Sequence, residues 1–452
     1  METIRVGWGV ADISPTESVP LAGFGNTETR MSQRVLHPLR AYCIALSDED
    51  DNTELIFTLD LIAVIPKLCS AVRAEVLART GISGEHVILS GTHTHSAPDL
   101  TNWEIPSIPR YFDQIVKSMG QAAKDAVDDR RAAQMYTGRI EFENMNFIRH
   151  FVFEDGTKTG YPGVAATAGK PFDHVYEPDK VMQLVKFVRE GGKDVLLVNW
   201  QGHPQFTSAP SKFDASSDAA GVFRDKLSAA LNCRVAYYTG ASGNTNLLSL
   251  KLRERIYKDV DSYSDALVKG VLEAGDIFTP ARTGKVRSAV SIYKGRVNHN
   301  CDDMAPQAEL VDQVWRRTND AKATNEVGIP LGIHSPYHAG AILGRKDRGA
   351  TYDLEQSVVV VGDVAFATSA YEMFKNNGCF IKENSPCKTT MILTCANGTI
   401  AYGPTMNVDY IPSIEAFEYV GYETDTTTFE PGTGEEMADR LVAMLRDLYE
   451  MP

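Results

Sequence analysis

Two histidines separated by one threonine, His93 and His95, close a short apolar run from Val87 to Pro98, Val-Ile-Leu-Ser-Gly-Thr-His-Thr-His-Ser-Ala-Pro. In an extended chain, residues two apart share a face, so a backbone extended through Thr94 points both imidazoles into one pocket. That is metal-site geometry. The plainer alternative is a pair of satisfied polar side chains on a surface loop. A second apolar run, Asp194 to Trp200, hands His203 to a tight Gly-His-Pro turn. One such histidine is more often structural, but two at strand ends in one chain favour a shared site, because sheets of this kind carry their chemistry there.

Other residues could join them. The small-residue loop from Thr239 to Asn246 is expected to turn backbone N–H groups toward an anion or oxyanion. It lacks the Gly-Lys-Ser/Thr of a nucleotide-phosphate loop and the glycine spacing of a dinucleotide fold. Glu372 is a single carboxylate in an apolar setting at the expected start of a helix, where the plain role is pairing with the helix dipole. Asp60 ends a buried run and reads equally as a helix cap or as support for the site. Arg149, a lone cation just past a strand, reads by itself as a surface charge. His299, His334 and His338 have no strand-end context and read as non-ligands.

Elements that position these residues follow from the pattern. Strands are expected over 4–10, 40–46 and 54–60, then a helix over 67–80 that Gly81 stops, then the His-x-His strand, which makes a parallel crossover. A helix over 111–127 and a strand over 135–142 follow. Glu190-Gly-Gly192 joins two strands as a hairpin. A helix from Asp218 to Leu231 leads to a strand over 233–238. Polar helices over 253–274 and 306–325 flank a strand over 286–297, and residues 275–350 read as an elaboration covering the site. Strands over 357–362, 364–368 and 388–396 and an amphipathic helix over 434–449 complete the pattern. The expected class is α/β, with mixed, largely parallel sheets flanked by helices and the site at strand C-terminal ends. No linker or repeat divides the chain, so residues 1–452 are expected to form one domain.

Bulk composition narrows the partners. A net charge of -14 disfavours nucleic acid and anionic membrane, both of which require a basic face. No run approaches the roughly 20 apolar residues of a membrane span, and the first residues lack a secretory pattern, so a cytoplasmic location is expected. The seven cysteines contain no Cys-x-x-Cys pair. Reduced thiols are expected, and a cysteine metal cluster is not. The partner left is a small molecule; the oligomeric state is not legible.

Taken in order, the His-x-His strand end, the Gly-His-Pro turn, the Gly/Asn loop, the lone Glu and a Tyr after a strand resemble the catalytic domain of the neutral/alkaline non-lysosomal ceramidase family. The resemblance runs from Gly9 to about Thr424. Its most specific piece is Gly91-Thr-His-Thr-His-Ser-Ala-Pro98, close to the family's Gly-Thr-His-Thr-His-Ser-Gly-Pro. It implies one Zn²⁺ on His93, His203, Glu372 and Tyr402, with His95, Arg149 and Tyr422 as catalytic residues and Asp218 in a structural role. Two neutral imidazoles and two oxygen donors suit zinc. Asn246 aligns where the family carries a serine, with Ser242 just ahead of it. An amide can orient a substrate or donate to an oxyanion but cannot attack as an alkoxide. With Pro452 as the last residue given, the family's C-terminal immunoglobulin-like domain is not expected. The implied activity is zinc-dependent hydrolysis of a linear amide, or an ester or lactone, in a substrate smaller and more polar than ceramide, by a polarised carbonyl and a metal-bound water. The alternatives are a zinc-dependent lyase or isomerase acting on a hydroxy-carbonyl or sugar-acid-like ligand, and a non-enzymatic protein with a structural zinc.

Overall fold

A computed structural model describes residues 4–24, 30–160, 172–174, 177–207, 211–247, 256–398 and 409–451. The chain opens with β1 (Ile4–Asp12), β2 (Arg40–Ser47) and β3 (Thr53–Leu59), an antiparallel ladder in which Gly9 faces Cys43 and Ala45 faces Leu55. Helix α1 (Pro66–Thr80) starts on a proline and stops at Gly81, whose φ of 77° is the left-handed conformation that glycine adopts at helix ends. It carries the chain over to β4 (Val87–Gly91), parallel to β3. After α2 (Ser107–Asp128) come β5 (Arg131–Glu141), β6 (Val181–Arg189), β7 (Val195–Trp200), α3 (Asp218–Leu231) and β8 (Arg234–Thr239). The large sheet runs β8-β7-β6-β5-β1-β2-β3-β4, with Thr279–Pro280 alongside β5.

The second sheet is β9 (Val286–Arg296), β10 (Thr351–Val361), β11 (Val364–Thr368) and β12 (Thr389–Leu393), in that order. The two sheets lie face to face. Ile44, Ile56, Ile88 and Leu197 of the first share one buried cluster with Val359, Phe366 and Leu393 of the second. Burying such a side chain contributes about 1.5–3 kcal/mol. Helices cover the outer faces. Helices α1 and α2 pack on one half of the large sheet, and α3 and α4 (Val260–Glu273) on the other. Helices α8 (Lys375–Asn384) and α10 (Thr433–Glu450) cover the small sheet. The result is a four-layer α/β sandwich with large mixed sheets flanked by helices.

Parallel pairing occurs at β3/β4, β7/β8 and β11/β12. The other neighbours are antiparallel, β2/β3, β6/β7 and β10/β11 as hairpins and β5/β6 and β9/β10 across long connections, so the sheets are mixed rather than largely parallel. The expected helix over 253–274 begins in the structure at Val260, capped by Asp259 through the Ser262 N–H. That over 306–325 divides into α5 (Ala305–Thr318) and α6 (Ala321–Gly328), because Asn319 turns left-handed and Asp320 caps a new start. Helix α7 (Pro336–Arg345) follows.

Candidate metal centre and substrate cavity

The site lies where strands of both sheets end. Strand β4 stops at Gly91, two residues before His93. Beyond it Thr92 and His93 donate their N–H groups to Leu59 and Leu61, and His93 takes a φ of 66°. The backbone is therefore left-handed at His93 and not extended as the alternation argument assumed. The two rings consequently meet edge to face, with centroids 4.8 Å apart and planes at 86°. His95 N–H then bonds to Pro204 O, tying this loop to the one that follows β7 and carries His203.

Each imidazole is held from behind. His93 Nδ1 lies 2.9 Å from Ile62 O, His95 Nδ1 2.9 Å from Gly23 O, and His203 Nδ1 3.0 Å from Thr245 O. A carbonyl only accepts, so each Nδ1 carries the proton and each Nε2 presents a lone pair. These lone pairs converge. His93 Nε2 is 3.1 Å from His95 Nε2, and the three rings offer ligand atoms all within 4.8 Å. Glu372 closes the cluster, Oε1 3.3 Å from His93 Nε2 and Oε2 2.7 Å from His203 Nε2. Despite that distance His203 Nε2 and Glu372 Oε2 make no hydrogen bond. A lone pair faces a carboxylate in a buried place, which fits a divalent cation between them.

Electrostatics agree. Burial pushes the His203 pKa down to about 4, and burial with the neighbouring rings holds His95 well below its usual range. Burial alone would raise Glu372, but His93 and His203 outweigh it and hold the carboxyl well below the usual range. At His93 burial is outweighed by Glu372 and Cys395, which raise its pKa well above the ordinary value. The cluster thus favours one cation, a proton on His93 or a metal ion in its place.

Glu372 does not sit at a helix start, contrary to the sequence expectation. It belongs to a two-residue strand, Glu372–Met373, paired in parallel with Tyr410–Ile411, and α8 begins only at Lys375. Tyr402, the expected phenol ligand, lies outside the described residues. Tyr410 faces Glu372 across the pairing; it is buried and borders the cavity beside the cluster. Burial first and the Glu372 charge second push its pKa well above the ordinary value. Sequence reasoning missed Tyr410, which the register of this short pairing places beside Glu372.

Arg149 is buried, not a surface charge. Its Nε is 3.0 Å from Glu423 Oε1, its guanidinium donates to Gly243 O, and its backbone N–H bonds to Asn244 O. Glu423, which sequence reasoning missed, adjoins Tyr422 at the start of α9 (Tyr422–Thr426). The loop after β8 behaves differently from expectation. The N–H groups of Gly240, Gly243 and Thr245 are taken by Trp200, Met373 and Ser242 carbonyls, so they do not face an oxyanion. A Cβ on Gly243 would lie 2.5 Å from Glu372 O, so the loop packs directly beneath the carboxylate strand. Asn246 bridges to His203 and accepts from the Leu247 N–H, and it is not among the residues that border the cavity. Ser242 Oγ is buried without a hydrogen-bond partner.

Two aspartates brace this arrangement. Asp218 accepts from the Phe206 and Thr207 N–H groups and fixes the turn after His203. Asp60 does not cap α1, whose N-cap is Ile65. It receives Arg224 Nη1 at 2.9 and 3.0 Å and the Arg40 N–H at 2.9 Å, beneath Thr92.

His95, Arg149, Tyr410 and Tyr422 form the inner end of a cavity of about 250 Å³. Its outer wall includes Phe24, residues of α6, the segment leading into α7 and the first residues of α7, Tyr337 among them. Part of the 275–350 stretch therefore borders the site. Tyr422 packs edge to face on both Tyr410 and Tyr337.

No family model and no curated protein matches the sequence. Among solved structures, a neutral ceramidase from Pseudomonas aeruginosa matches over 100% of this chain and 75% of its own, with a TM-score of 0.71 and 16% identity. A structure described as ceramidase complexed with C2 matches over 100% of this chain and 76% of its own, with a TM-score of 0.69 and 15% identity. Among the described residues no helix is long and apolar enough to cross a membrane. The likeness first carried by the Thr-His-Thr-His segment extends to the whole architecture: this chain has the neutral ceramidase fold.

Proposed function

We propose that the protein is a zinc-dependent hydrolase that cleaves an amide, or an ester or lactone, in a small and fairly polar molecule. The observation that carries this reading is the set of three Nδ1-anchored histidines whose lone pairs converge with Glu372. His93, His203 and Glu372 would hold the ion, with Tyr410 supplying the phenol. Zinc so held supplies Lewis acidity toward a carbonyl and acidifies water. The protein's own groups do the rest. His95, at the cavity wall with its Nε2 unprotonated, accepts a proton from the attacking water and returns it to the leaving group. Arg149 and Tyr422 orient the substrate from the same wall, and burial of the cluster strengthens each of these contacts. Asn246 in the serine position supports water rather than a side chain as nucleophile.

A cavity of about 250 Å³ lies below the roughly 300–1,000 Å³ of drug-sized sites, which supports a substrate smaller than a two-chain lipid. Because the histidine cluster opens into this cavity, a catalytic ion is favoured over a closed structural one. Metal analysis of protein purified without added metal, alongside His93→Ala, tests the reading. Zinc present in the wild type and lost in the variant is the expected result; equal, trace contents in both would end it. Panels of acyl-amides, esters and lactones, with Glu372→Ala as control, then identify the bond. Product masses one water heavier than substrate mark hydrolysis, and unchanged masses would point to the isomerase alternative.

A further inference from the structure

His334 and His338, which have no strand-end context in the sequence, are not expected to be ligands. In the structure His338 lies in the first turn of α7 and His334 just before its N-cap, and both approach one carboxylate, Asp425, from α9. We propose that these three residues form a second metal site, for a divalent transition ion such as Zn²⁺, on the outer wall of the same cavity.

The local fold aims them at one point. Ser335 caps α7 by accepting the His338 N–H at 3.1 Å, and Pro336 sets the first helical residue, so the chain entering the helix leaves the His334 and His338 rings 5.0 Å apart. His334 Nδ1 lies 2.9 Å from Asp425 Oδ2, and His338 Nδ1 lies 4.0 Å from the same oxygen. Ligand atoms each roughly 2.1 Å from a tetrahedral ion stand about 3.4 Å from one another. The two observed distances bracket that value, and the contacts of the inner cluster run from 2.7 to 3.3 Å. At 4.0 Å the His338 contact is too long for a hydrogen bond, so the carboxylate satisfies one imidazole and only faces the other.

His338 is 5% exposed, so the site is shielded on that side. Its Nδ1 accepts a long bond of 3.3 Å from the His334 N–H, the interaction an ion would displace. Arg345 is the nearby cation. Its guanidinium points to the backbone oxygens of Asp425 and Thr427 and leaves the carboxylate free to meet the ion. Two imidazoles and a carboxylate make a three-ligand set with an open position, and imidazole nitrogen favours zinc, nickel or copper over magnesium or calcium. His334 and Asp425 both border the cavity, so that open position lies where an oxygen donor of the substrate can complete the shell.

The site would stand whether or not the inner one is filled, and metal counting separates the two. The full chain is stripped with chelator, reloaded with excess Zn²⁺, desalted and measured by mass spectrometry of the metal. Two equivalents are expected for the wild type, one for His334→Ala, one for the isosteric Asp425→Asn and one for His203→Ala. Equal zinc in the wild type and Asp425→Asn would overturn the second site. A single equivalent lost only in His203→Ala would do the same while leaving the inner centre intact. A single equivalent lost only in Asp425→Asn would support the outer site and remove the inner one. Cobalt absorption on the same proteins gives an independent count, with the wild-type spectrum equal to the sum of the two single-site spectra.

Discussion

Glu372 and Tyr410 face each other across a two-residue parallel pairing, so a carboxylate and a phenol from segments nearly forty positions apart arrive beside the same histidines. Tyr410→Phe is therefore expected to weaken zinc binding and hydrolysis by about 10–100-fold, the usual effect of losing a group that tunes a metal site. Tyr402→Phe is expected to change either by less. A competition titration with a chromogenic chelator checks both, and a larger effect at Tyr402 would reverse the assignment.

Gly23 has a φ of 106°, and a Cβ there would lie 2.6 to 2.7 Å from His95 ring and Cβ atoms. Gly23→Ala is expected to turn the His95 ring from its carbonyl anchor. Turnover is expected to fall while zinc content stays near that of the wild type, as the proposed role of His95 in proton transfer requires. Parallel loss of zinc would instead make His95 a ligand.

Asp60 and Arg224 form a buried ion pair, each about 1% exposed or less. Arg224→Met leaves an uncompensated carboxylate under Thr92, at a cost of about 3–5 kcal/mol. The double variant Asp60→Asn/Arg224→Met is expected to recover much of that. Urea denaturation of the four proteins in the cycle provides the measurement.

Removing the metal is expected to lower the melting temperature without unfolding the chain. The rings are fixed by backbone carbonyls rather than by the ion alone, so the ligand cage persists when empty. Binding adds stability by mass action, about 4.1 kcal/mol when free metal is 1,000-fold above its Kd. Circular dichroism of the chelated protein should keep its native shape, and re-addition of zinc should restore the melting temperature.

Much of this site was legible in the sequence, and the limits have physical causes. Apolar runs ending at His93 and His203 announce strands that deliver polar groups, and two such strand ends in one chain favour a shared site over two separate structural histidines. Glu372 was legible only through family likeness, as its two-residue strand is too short to leave a period. Tyr410, Glu423 and the burial of Arg149 were hidden because long-range packing sets them. The left-handed turn at His93 was missed because nothing local demands it; the carbonyl of Leu61 does. His334 and His338 looked idle for a related reason, since the carboxylate they share lies on a separate short helix.

The histidines of the inner centre follow strands of the large sheet and Glu372 lies just beyond β11 of the small one, so a bound ion would clasp the seam between two layers. A slip of one layer over the other by an atom's width would prise the cage open before any strand frays. Gentle heating should therefore silence the protein, and release its zinc, at temperatures where its spectrum still looks folded.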